Sequence, residues 1–174
     1  MPKAAGSATA ELAVDARGAT LDAGLLLLRV VPFGILTVHG AQKLFGVFGG
    51  KGLEGTAAGF SRMGYEPALF FAVLGGGAEF AGGLLLLLGL FTPLAAAMAL
   101  GVMINAAAAV VGKGLDAAGH PIVLGVLAAV LAITGPGRYA LDQGRPWNRT
   151  TRAVALASIG VGVLSAVAAL LAKG

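Results

Sequence analysis

Four residues in this chain could do chemistry at a depth where polar side chains are costly to place. His39 and Lys43 stand four apart at the end of one apolar stretch, Glu79 lies near the middle of the run Leu69–Leu90, and Asn105 lies inside a third run. A carboxylate at membrane depth costs at least ~2.5 kcal/mol on insertion scales, so it normally faces protein and has a partner. Lys43 or His39 would supply that partner. An imidazole also exchanges protons near neutral pH, which suits a bound redox substrate such as a quinone. The same ion pair could equally do no more than fix one helix against another, because desolvation offsets much of its attraction. Both readings stand on the residues alone.

The elements that must position these groups are legible from the apolar runs. The chain has 174 residues, 57% hydrophobic and only 11% charged, with a mean hydropathy of +0.90. Soluble domains carry about 25% charge, so this composition implies an all-α polytopic transmembrane helix bundle in the lipid bilayer. Helices are expected at about 23–45, 68–90, 93–111, 120–134 and 153–172, the fourth being short for a crossing that needs roughly 20 residues. The segment 46–67 reads as a Gly-rich loop with a short helix near 53–63, and Phe91-Thr92-Pro93 as a tight turn that opens the next helix.

Three regions follow. Residues 1–21 read as a polar tail, 22–142 as a four-helix transmembrane domain, and 143–174 as a basic interfacial segment with a fifth helix. The late start of the first apolar run, with Arg29 inside it, argues against a cleaved signal peptide.

Charge supplies a direction. Lys3, Arg17, Arg138, Arg145, Arg149 and Arg152 fall on one face of a five-span arrangement, against Lys51, Arg62, Lys113 and Lys173 on the other. The positive-inside bias then places the N-terminus in the cytoplasm and the protein in the cell membrane. Arg29 reads as an anchor snorkelling toward that inner face, and Arg138 as an interfacial anchor. The basic residues cluster at segment ends, an arrangement suited to lipid headgroups and not to nucleic acid.

Composition also excludes chemistry. With no cysteine, the chain contributes no dithiol relay, disulfide framework or thiolate-held cluster. Two histidines are too few for most metal sites, and His39 with His120 is a weak haem pair, since no second motif supports it. No metal site and no covalently bound cofactor are expected; a quinone is the cofactor the pocket would suit.

Depth places the polar residues together. From the face carrying the 46–67 loop, a rise of ~1.5 Å per residue puts Lys43 ~3 Å deep, His39 ~9 Å, Asn105 ~10 Å, Glu79 ~16 Å and Arg29 ~24 Å. Side chains tilt toward their own helix N-terminus, so His39 and Lys43 point inward while Glu79 points outward to meet them. A polar pocket of His39, Lys43, Glu79 and Asn105, roofed by the loop, is the candidate site. Gly75-Gly76-Gly77 and Gly82-Gly83 allow close helix packing, and a glycine face could also admit a flat quinone ring.

The segments LLLLRVVPFGILTVHGAQKLFG, GAEFAGGLLLLLGLFTPLAAAMAL and LAITGPGRYALD together resemble the DoxX family of small membrane proteins, over about residues 25–142. The resemblance implies a four-helix membrane protein tied to redox chemistry, since DoxD-like relatives include a subunit of a thiosulfate:quinone oxidoreductase. The basic tail and the fifth helix depart from the family pattern. The resemblance implies a subunit of, or accessory to, a quinone-linked membrane oxidoreductase complex, with a partner oxidoreductase subunit and a homo-oligomer as possible assemblies. This chain shows no self-contained catalytic or redox-cofactor motif. A non-catalytic scaffold or assembly protein is the alternative, and a small-solute or proton-coupled carrier a third, against which stand the small size and the lack of an inverted repeat.

Overall fold

The computed structural model describes residues 3–148 and 151–173, with side chains from Val14 onward. Arg149, grouped above with the inner-face arginines, lies outside the described residues. Among the described residues there are six α-helices: α1 Lys3–Phe45, α2 Gly52–Arg62, α3 Ala68–Leu88, α4 Thr92–Val110, α5 Leu115–Thr134 and α6 Arg152–Leu171. All but α2 are long and apolar enough to cross a membrane. The protein is an all-α, multi-pass membrane bundle.

Two boundaries depart from expectation. The helix expected from residue 23 begins at Lys3. Alanine, the strongest helix former, dominates the upstream segment, and extending an existing helix avoids the nucleation cost. At ~1.5 Å per residue, α1 is ~65 Å long, about twice the ~30 Å hydrocarbon core. The fourth crossing likewise starts at Leu115, five residues before His120, with Pro121 inside it. The turn before His120 is helical as well, which gives α5 a full crossing length.

Small residues set the packing. α1 lies chiefly on α3, α4 touches α3, and both α5 and α6 lie on α4. A Cβ added to Gly40 would come within 2.3 Å of the Phe80 backbone, and one on Gly83 within 2.8 Å of the Thr37 nitrogen. Backbones therefore meet directly along the α1/α3 seam, as small residues permit in membrane bundles. Gly101 and Gly162 do the same for α4 and α6, where a Cβ on Gly101 would stand 3.0 Å from the Gly162 oxygen. The fully buried core, with Phe33, Leu36, Leu86, Ala95, Ala99 and Leu131, lies among α1, α3, α4 and α5.

Arg29 corrects the snorkelling expectation. It is buried, 1% exposed, and its Nη2 donates to the Tyr139 carbonyl at 2.9 Å. The segment after α5 folds back over it, with the Leu141 nitrogen donating to the Leu88 oxygen and the Asp142 nitrogen to the Gly89 oxygen, both at 3.2 Å. Asp142, also buried, accepts from the Phe91 nitrogen at the start of α4, where a carboxylate is favoured by the helix dipole. Its other oxygen accepts from Trp147 Nε1 at 2.7 Å, and the Trp147 ring stacks on Phe91 at 5.9 Å. Phe91 is thereby held at φ +45°. Arg138 is exposed and sits 4.0 Å from Asp22, whose Oδ1 accepts from the Arg138 backbone nitrogen at 2.9 Å.

Two predictions follow from this architecture. Cysteines at Glu54 and Gln143, labelled with an impermeant maleimide, should report opposite sides of the membrane; labelling from one side only would rule out the alternation of spans. Gly89, at φ +68°, leaves room that Arg29 Nη1 occupies, 1.7 Å from where a Cβ would lie. Gly89→Ala should therefore destabilise the fold by more than the ~1–2 kcal/mol of a left-handed alanine, read as a lower melting point. Gly160→Ala, at a helical site with open space, should be neutral or stabilising in the same detergent melt.

Candidate functional site

The roof of the candidate site is built by short-range bonds at the end of α1. A helix leaves its last carbonyls without partners, and Thr56 of α2 supplies one, its Oγ1 donating to the Lys43 oxygen at 3.1 Å. Gln42 Nε2 donates to the Phe48 oxygen in the intervening turn at 3.0 Å. Gly50 seals the turn, since a Cβ there would stand 2.3 Å from the Gln42 oxygen. α2 is thus drawn across the end of the α1/α3 pair.

Beneath this roof is a cavity of about 510 Å³, and His39, Lys43, Glu79 and Asn105 all line it. Lys43 Nζ donates to Glu79 Oε1 as an ion pair between α1 and α3. The pair is asymmetric. The Glu79 side chain is 3% exposed and that of Lys43 39%, so the lysine reaches inward from the rim as its tilt along the helix predicts. Glu79 Oε2 is buried with no hydrogen-bond partner among the described residues. A buried polar oxygen without a donor is costly, and this one belongs to a cavity-lining residue.

Asn105 has a second role in packing. Its Nδ2 donates to the Gly101 oxygen at 3.1 Å and to the Ala166 oxygen of α6 at 3.4 Å, while Oδ1 accepts from the Tyr65 hydroxyl at 3.4 Å. Burial pushes the Tyr65 phenol above its usual pKa, so it stays protonated and serves as a donor. The His39 ring meets His120 edge-on, centroids 5.4 Å apart. His120 is exposed and lies outside the cavity lining.

The sequence reading missed Tyr65, Thr56, Lys51 and Arg62 as members of this site. Three of them sit on or beside the short α2, and the fold-over of that helix has no periodic signal. Tyr65 had a signal: an amphipathic ring just before Pro67, beside the start of a membrane span, is suited to an interface. Of the glycine cluster, Gly75 faces the cavity. Gly76 packs on Leu44, Gly83 on Thr37, and Gly82 on Met98 and Ala95, so those three serve helix contact. Among the described residues, no group of three or more metal-ligating side chains comes together.

Chemically, the arrangement brings a donor at Lys43, an acceptor at Glu79, the His39 imidazole and the Tyr65 hydroxyl around one space. The DoxX family model matches residues 24–112, which is half of the chain, and the protein belongs to the DoxX family. The match takes in most of α1 and all of α2–α4, and therefore all four candidate residues. It ends before α5, so the GPGRYALD segment lies beyond it. No curated protein and no solved structure matches the chain significantly.

The ion pair can be tested directly. Removing one partner of a buried pair typically costs ~3–5 kcal/mol, discounted here because Lys43 is partly solvated. Glu79→Lys and Lys43→Glu should each reduce the amount of folded protein in mild detergent. The double swap should restore more of it than either single change. Equal loss in all three would show that the two side chains do not act as a pair.

Proposed function

We propose that this protein is the substrate-binding membrane subunit of, or accessory to, a quinone-linked oxidoreductase complex in the cell membrane, with its N-terminus in the cytoplasm. One observation carries the reading: a nearly fully buried carboxylate with one oxygen paired to Lys43 and the other unpartnered in a residue lining a cavity of about 510 Å³. Intramembrane ionisable residues of this kind mark substrate sites or proton relays by default. Electrons come from a partner subunit, since the chain offers no redox-cofactor motif. Its own residues bind and move protons: Lys43 donates to an acceptor oxygen, and His39 exchanges a proton with the bound group.

The scaffold reading has its own support. The Lys43–Glu79 pair and the buried Arg29 both tie α1 to the rest of the bundle, and ion pairs of this kind can serve register alone. The two readings separate in one experiment on the complex recovered from membranes in mild detergent. Glu79→Gln and His39→Ala should abolish partner-linked quinone reduction while the subunit remains in the complex at normal amount. Unchanged electron transfer at normal assembly would identify the protein as a scaffold. Because Glu79→Gln also breaks the ion pair, His39→Ala is the cleaner variant: His39 is in neither the Lys43–Glu79 pair nor the backbone seam.

A further inference from the structure

The bundle holds a second cavity, about 500 Å³, walled by α3, α4 and α6. Its lining is hydrocarbon apart from Tyr65, Asn105 and Ser165. Leu74, Leu94 and Val161 stand on its rim, each more than half exposed on a membrane-spanning helix. The groove therefore opens sideways to lipid. It adjoins the polar chamber along Phe60, Tyr65, Gly75, Val102 and Asn105, which line both spaces. At this boundary Gly75 has no side chain, and the Phe60 ring fills the place, 3.1 Å from where a Cβ would lie. The polar chamber and the lipid-facing slot thus share these five residues along one border.

We infer that chamber and groove are two halves of one site for a single-tailed amphiphile, its oxygen-bearing head in the chamber and its hydrocarbon tail in the groove. This rests on the substrate reading above and adds the tail and the lateral entry. The head chemistry follows from the lining. Lys43, Lys51 and Arg62 face a single carboxylate, Glu79, so donors outnumber acceptors and suit carbonyl oxygens, while Glu79 Oε2 awaits a hydroxyl. The tail follows from the groove, whose burial of each methylene adds to affinity. A ligand lacking a tail would leave that slot to bulk lipid.

Gly77 allows the tail to be tested apart from the head. It lines the groove and not the chamber, and nothing lies within 4 Å of where its Cβ would be. A side chain at Gly77 therefore starts into open space on the groove side, and Gly77→Leu adds bulk there. The protein in phosphatidylcholine nanodiscs is photolabelled with two probes: a decyl-benzoquinone with a diazirine at the tail end, and a tailless azido-benzoquinone. The tail probe should label Leu74, Leu94 and Val161, and the head probe peptides bearing Lys43 or Tyr65. Gly77→Leu should weaken tail-probe labelling by at least ~tenfold, the loss expected for displacing two buried methylenes, and leave head-probe labelling unchanged. Tail label spread evenly over all lipid-facing helices, or displaced by added phospholipid but not by decyl-benzoquinone, would overturn the two-part site while head labelling upholds the chamber. Absence of labelling by both probes would overturn the substrate reading with it.

Discussion

Helices α1 and α3 touch backbone to backbone at Gly40 and Gly83, and the rest of the molecule depends on that contact. Any side chain at either position would drive the helices apart by the thickness of a methyl group or more. Lys43 lies one turn beyond Gly40, and Glu79 one turn from Gly83 on the facing helix. Their ion pair is therefore a consequence of the seam as much as a cause of it. In lipid, apolar side chains gain little by leaving the surroundings for each other, so close packing and polar contacts carry the association. This pair of helices has both.

The two ends of the seam are finished differently. At one end the Lys43–Glu79 pair opens on a chamber roofed by α2, and Lys43 keeps contact with solvent. At the other, Arg29 is closed in by the segment after α5 and held by the Tyr139 carbonyl. Asp142 sits in that same segment but bonds to Phe91 and Trp147, fixing the start of α4. At one end Glu79 Oε2 is buried without a partner in a residue that lines a cavity; at the other, Arg29 Nε and Nη1 are likewise buried without hydrogen-bond partners among the described residues, and the covering segment locks the turn between α3 and α4.

α6 completes the arrangement on the side away from α1. Its Gly162 meets Gly101 of α4, and the Ala166 carbonyl accepts from Asn105. Near its end, Lys173 pairs its backbone with Tyr65 in an isolated bridge and places its ammonium 5.9 Å from the Tyr65 ring. The fifth crossing, beyond the matched family region, thereby supplies one wall of the lipid-facing groove and steadies a residue of the polar chamber. Chamber and groove are coupled through Tyr65 and Asn105, which belong to both.

The sequence by itself determined the class, the five crossings and the approach of Glu79 to the stripe that carries His39 and Lys43; that the carboxylate pairs with Lys43 was settled by the packing. Run length counts the spans, and the rise per residue together with the tilt of side chains sets the depth at which two helices' polar groups can meet. Those are local properties of the chain. Tertiary structure alone decided the rest. Whether Arg29 reached the interface depended on residues 138–142 folding back over it, a contact across 110 positions that no helical period encodes. The placing of Thr56, Lys51 and Arg62 around the cavity depended on where a short Gly-flanked helix docks. The groove beside it exists only because three helices meet with small residues between them. Periodicity reports which face of a helix is apolar; it does not report which apolar faces leave a space.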